Sequence, residues 1–128
     1  MKSNELRIGI VERSIEFAVR VVFMANSLPK TPAGFAIASQ VVRAGTSIGA
    51  NLQEAQSALS KRDFIHSVNI SLKESRESYY WLTIISRANL IQSNKLVLLL
   101  QENDEIIRIL VAIVKKSRSN SALLTHHS

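Results

Sequence analysis

The sequence predicts an all-α protein, an antiparallel up-and-down four-helix bundle. Apolar residues recur with helical rather than strand spacing in four separate segments. Helix stop and start signals divide the segments at Leu28-Pro29, Thr31-Pro32, Ser60 and Ser93-Asn94. The 128 residues include only 4 Gly and 2 Pro, which leaves material for few turns and therefore for few, long elements.

The first helix is expected from a Ser3 or Asn4 cap to about Asn26. Ile8, Val11, Ile15, Ala18 and Val22 form its main apolar stripe, and Ile10, Phe17, Val21 and Met24 a second. Arg7, Glu12, Arg13, Glu16 and Arg20 are left for water. That is more apolar surface than one core seam requires. Leu28-Pro29 ends the helix, because the residue before proline avoids the α region.

Thr31 as cap and Pro32 at the first helical position start the second helix, which is expected to reach about Ala58. Ile37, Val41, Ala44, Ile48, Leu52, Ala55 and Leu59 fall on one stripe. Ala38, Val42, Gly45 and Gly49 make a small-residue face. Arg43 and Glu54 are the only formal charges between Ala36 and Ala55, so this helix reads as the surrounded, central one. Gly34, Gly45 and Gly49 each cost about 1 kcal/mol of helix propensity relative to alanine, which close approach of a neighbour would offset.

Ser60-Lys61-Arg62-Asp63 reads as a capping box opening the third helix. The link is so short that helices two and three are expected to be antiparallel neighbours. Ile65, Val68, Leu72, Tyr79 and Leu82 mark the core stripe, and Trp81, Ile84 and Ala88 another face. After a break near Leu90–Asn94, the fourth helix is expected from about Lys95 to Ser117. Leu96, Leu99, Ile106, Leu110 and Ile113 form one stripe; Val97, Leu100, Ile107, Val111 and Val114 form a second, which suits packing on another subunit. Residues 1–118 are assigned to the bundle and residues 119–128 to a flexible polar C-terminal tail.

Composition bounds the function. Hydrophobic residues make up 46% and charged residues 20%, as in folded proteins. Aromatics are only 5%, so Leu, Ile, Val and Ala must fill the core. The absence of Cys fits a reducing, cytoplasmic setting. The first residues contain no signal-peptide run, and no apolar stretch reaches the roughly 18 residues of a membrane span.

No catalytic motif stands out. A metal site in a bundle needs inward carboxylates and paired Glu-x-x-His motifs, whereas Asp63-x-x-His66 is single and its Asp is already a cap. His126 and His127 fall in the tail. There is no Cys nucleophile and no glycine-rich phosphate loop. The chain is therefore expected to be non-enzymatic, with no metal and no cofactor.

Two constellations remain. Gln40, Arg43, Ser47, Asn51 and Glu54 form a polar stripe beside the core stripe of helix two. With Glu74 and Glu77 of helix three they are expected to make a structural polar network, because a partly buried Arg needs a partner. The net charge is +6. Lys61, Arg62, Lys73, Arg76 and Arg87 lie along helix three, and Lys115, Lys116 and Arg118 at the end of helix four. They are the candidate nucleic-acid contacts, and the solvated alternative is intrahelical pairs such as Lys73–Glu77. No aromatic interleaving for base stacking is read here, so binding is expected to be electrostatic and sequence-tolerant.

Two stretches carry a resemblance. They are Gln40-Val-Val-Arg-Ala-Gly-Thr-Ser-Ile-Gly-Ala-Asn-Leu-Gln-Glu-Ala55, and Phe64 followed by Ser71-Leu-Lys-Glu-Ser-Arg-Glu-Ser-Tyr-Tyr-Trp-Leu82. The chain resembles the bacterial four-helix-bundle proteins first noticed as open reading frames in intervening sequences of 23S ribosomal RNA genes. The resemblance implies a barrel-like homopentamer with a central channel. It also implies similarity to the accessory protein of diversity-generating retroelements, a basic pentamer that binds nucleic acid and a reverse transcriptase. A pentamer of a +6 chain carries +30 and favours an anionic partner. The expected partners are thus further copies of the chain, RNA or DNA, and a reverse transcriptase or other protein, with no membrane. The alternative is a protein–protein adaptor whose basic charge is incidental.

Overall fold

The computed structural model describes the backbone of residues 3–127 except Ser93, and the side chains of residues 9–92 and 94–119. It has four helices: α1 Ser3–Asn26, α2 Pro32–Gln56, α3 Lys61–Arg87 and α4 Asn94–His127. Each helix packs on the next and α4 returns to α1, while the diagonal pairs α1/α3 and α2/α4 do not approach backbone to backbone. This is an up-and-down four-helix bundle. The α2–α3 interface is the most extensive and the α1–α4 interface the least.

The caps explain the helix starts. Thr31 Oγ1 accepts from the Gly34 amide at 3.1 Å, and Ser60 Oγ from the Asp63 amide at 3.1 Å. α3 stops in a Schellman turn: Leu90 N–H donates to Ile85 O and Asn89 N–H to Ser86 O, with Asn89 at φ 54°. Asn tolerates this left-handed conformation because its short polar side chain bonds locally. The caps proposed at Ser3, Asn4 and Ser93 fall outside the described side chains.

At one end of the bundle Ile10 and Val11 of α1, Leu52 and Ala55 of α2, Phe64 and Val68 of α3, and Ile113 of α4 converge. The core continues through Phe17, Val21, Val41, Ile48, Leu82, Ile85, Leu99, Ile106 and Leu110. Burying each such side chain contributes about 1.5–3 kcal/mol.

Packing decides which of two apolar stripes is inside. On α1 the stripe Ile10, Phe17, Val21 and Met24 is the core, together with Val11, whereas Ile15 is 41% exposed and Val22 is also exposed. Spacing alone could not choose between them. The glycine face of α2 makes the choice, because it accepts the Ser14–Val21 side of α1. A Cβ at Gly45 would lie 3.1 Å from a Val21 methyl, and one at Gly49 would lie 2.9 Å from Ser14 Oγ. At Gly34 the close neighbour is the Pro29 carbonyl instead.

Four further expectations are corrected. α2 is not surrounded: it touches α1 and α3, and Ser39, Thr46, Ala50 and Gln53 are exposed on its outer side. The helix ends at Gln56, so Leu59 falls in the connection and is 99% exposed. Tyr79 is exposed, and the core positions of α3 left out of the predicted stripe are Ser71, Ser75, Ser78 and Ile85. α4 continues past Ser117 to His127, because no Gly or Pro interrupts residues 118–127.

The buried serines are bonded. Ser71 Oγ donates to Ile48 O of α2 at 2.8 Å. Ser78 Oγ donates to Asn103 Oδ1 at 2.7 Å, and Asn103 Nδ2 donates to Ser75 O at 2.9 Å. No buried side-chain nitrogen or oxygen among the described residues lacks a partner. The second α4 stripe is divided: Val114 is buried, Leu100, Ile107 and Val111 are half-buried, and Val97 is exposed.

Candidate nucleic-acid interface

The core of α3 centres on Val68, Ser71, Ser75, Ser78, Leu82 and Ile85. A helix turning about 100° per residue then sends Arg62, Lys73, Arg76 and Arg87 to the opposite, outward side. All four are exposed. None has an ion-pair partner among the described residues. The Lys73–Glu77 pair suggested by spacing does not form, because Glu77 is engaged towards α2.

Lys61 lies about a quarter-turn from this line, at the beginning of α3. Lys115, Lys116 and Arg118 are exposed on α4 just beyond Ile113, at the bundle end where α3 begins. The basic residues thus fall into an α3 stripe and a separate group on α4 near the bundle end where α3 begins. α1 lies diagonally across the bundle from α3.

The polar cluster is narrower than the sequence suggests. Arg43 pairs with Glu74 at 3.0 Å and with Glu77, and its Nε donates to Gln40 Oε1 at 3.4 Å. Trp81 Nε1–H donates to Glu77 at 3.2 Å. Ser47 and Asn51 instead bond back to carbonyls of their own helix, at Arg43 and Ser47. Glu54 is exposed and takes no part. Ser and Asn do this in helices because their short side chains reach the preceding turn.

Sequence reasoning missed two features. Tyr80 is 56% exposed on the α3 stripe, four residues after Arg76 and seven before Arg87; that spacing was the available signal. Arg13 of α1 forks to Glu102 and Glu105 of α4, with 3.0 and 2.7 Å bonds to Glu102. The hydrogen bond to Glu102 raises its pKa further above the usual guanidinium value.

No three acidic, His or Cys side chains among the described residues gather as a metal site. No described helix is long and apolar enough to cross a membrane. Two recesses among the described residues are grooves flanking α1. One, of about 360 Å³, lies against α2 and is lined by Ile15, Val19, Val22, Phe23 and Ala50. The other, of about 700 Å³, lies against α4 and is lined by Phe23, Ile91, Leu96 and Leu98 together with Arg20 and Lys95.

Residues 7–112 match the model of the 23S rRNA-intervening sequence protein family. The chain belongs to this family. Its fold is similar to a crystal structure from Bacteroides thetaiotaomicron VPI-5482, a protein of unknown function from the S23 ribosomal protein family. The two share 37% identity with a TM-score of 0.79, over 86% of this chain and 98% of that one. No curated protein matches the chain. The matched region takes in the four-helix core up to residue 112, the Arg43 cluster and the α3 stripe.

Proposed function

We propose that this member of the 23S rRNA-intervening sequence protein family is a non-enzymatic, self-associating bundle that binds RNA or DNA through phosphate contacts. Four exposed cations on one face of α3, Arg62, Lys73, Arg76 and Arg87, carry the reading, since none is paired among the described residues. Cations held apart from carboxylates keep their full charge for phosphates.

Self-association is supported on the far side of the molecule. Ile15, Val19, Val22 and Phe23 of α1 are exposed beside Thr46, Ala50 and Gln53 of α2. Grooves on both flanks of α1 offer two different surfaces, which is what a closed ring of head-to-tail copies requires. A homopentamer built this way turns α1 towards its neighbours and leaves α3 open, multiplying the +6 of each chain fivefold. Such a ring suits an accessory to a larger nucleic-acid machine, a reverse transcriptase among them.

The test is a salt series of binding to structured RNA and duplex DNA, with subunit number from light scattering in the same buffers. Affinity should fall linearly on log–log axes, with a slope set by the number of phosphates contacted. Replacing Arg62, Arg76 and Arg87 together by Glu should abolish binding while leaving helicity intact. Absence of binding even at low salt would move the function to a protein adaptor with incidental charge.

A further inference from the structure

We infer that the outward face of α3 is a platform for single-stranded nucleic acid, on which Tyr80 stacks a base while Arg76 and Arg87 take the phosphates to either side. The inference rests on the proposed nucleic-acid function and adds the strand state of the ligand and the residue that senses it.

Register places Tyr80 in the stripe. Offsets of seven and four residues back, to Lys73 and Arg76, and of seven forward, to Arg87, all return to within about 40° of the Tyr80 direction. The helical rise sets Arg76 about 6 Å away along the axis, and Lys73 and Arg87 about 10 Å away. An aromatic ring is thus interleaved with cations whose long side chains reach neighbouring phosphates.

The ring is braced as well as exposed. Trp81 packs against it edge-on, with ring centroids 5.0 Å apart and planes at 75°. Trp81 is tied through Nε1 to Glu77, and Glu77 to Arg43 of α2. The polar cluster therefore holds the neighbour that steadies Tyr80. A ring fixed before binding loses less freedom when a base lands on it.

Strand state follows from what each ligand displays. A duplex buries the faces of its bases and offers this surface only phosphates. A single strand offers base faces too, and every base can stack on a tyrosine, so the platform tolerates any sequence.

Fluorescence anisotropy of the full chain with labelled oligouridylate, oligodeoxythymidylate and a short duplex tests this. Tyr80→Ala should weaken both single-stranded probes by roughly 5- to 150-fold, the loss of one base stack. It should leave duplex binding and the salt slope unchanged, and Tyr80→Phe should retain wild-type affinity. Trp81 is the single tryptophan, so its emission should respond to the single strands and not to the duplex. The two single-stranded arms separate RNA from DNA. Equal binding of single strands by Tyr80→Ala and the parent overturns the stacking platform while leaving phosphate binding intact. Equal loss on single strand and duplex also overturns it. Failure of the parent to bind any probe at low salt overturns both the platform and the proposed function.

Discussion

Ser78 and Asn103 meet in the wholly buried centre of the bundle, where the Ser78 hydroxyl donates to Asn103 Oδ1 at 2.7 Å. They join α3 to α4 at one register, because Asn103 Nδ2 also reaches the Ser75 carbonyl at 2.9 Å. A shift of one residue between the helices would strand the Asn103 amide away from water, while the Ser78 hydroxyl would keep the Ser75 carbonyl of its own helix. Asn103→Ala should cost about 0.5–1.5 kcal/mol, since the Ser78 hydroxyl loses its acceptor across the seam and keeps only the Ser75 carbonyl of its own helix at 2.9 Å. Adding Ser78→Ala should cost little more, because the hydroxyl has already lost its partner on α4. Urea unfolding of the two single variants and the double variant measures the coupling.

The contact between α1 and α2 gives a second prediction. A Cβ at Gly49 would meet Ser14 Oγ at 2.9 Å but Ser14 Cβ at an ordinary 3.6 Å. Gly49→Ala alone should therefore be neutral to destabilising by about 2 kcal/mol, overpacking against a propensity gain of about 1 kcal/mol. Gly49→Ala with Ser14→Ala should be more stable than Gly49→Ala alone. Thermal melts of both would decide it; a double variant no better than the single would show that Ser14 Oγ is not the obstacle.

Arg43 should matter little to stability and more to its neighbourhood. It is half exposed, and surface ion pairs contribute about 0–1 kcal/mol. Arg43→Met should lower the melting temperature only slightly while altering Trp81 emission, because Glu77 loses the cation that holds it beside the indole. Unchanged emission would break the proposed link from α2 to the aromatic pair.

The apolar face of α1 should govern assembly. Val19 and Phe23 are 47% and 68% exposed. Val19→Asp with Phe23→Lys should reduce the solution mass to that of a single chain without loss of helicity, because charges would replace side chains whose burial contributes about 1.5–3 kcal/mol each. Light scattering and circular dichroism give both readouts. An unchanged mass would place the subunit contact elsewhere.

Much of the fold was legible because its punctuation is chemical. Thr31-Pro32 and Ser60 cap helices by side-chain bonds that depend only on neighbouring residues. The single apolar stripe of α2 from Val41 to Ala55 could face only inward, and it does. Choices that depend on a distant partner were not legible. α1 carries two apolar stripes, and the small residues of another helix select between them. Ser75 and Ser78 carry no apolar signal, and it is Asn103 brought opposite that lets them be buried. For the same reason the α3 stripe was visible as basic residues but not as a surface containing Tyr80. Tyr79 and Tyr80 are adjacent; the spacing from Arg76 and Arg87 picks out Tyr80, and the packed register of α3 shows it exposed among the cations.

The thin seam between α1 and α4 has a consequence for how the molecule breathes. Where α2 and α3 are joined by continuous side-chain packing, the first and last helices are joined partly across an open groove and partly by the Arg13 fork. Local opening starts where buried contacts are fewest, so this seam is the hinge line of the bundle. Amide exchange should be faster along α1 than along α2 or α3. Added salt should quicken it further by screening the fork. A neighbouring copy seated on the α1–α4 groove would act as a clasp across that line, so closure of each bundle and closure of the ring would be one event.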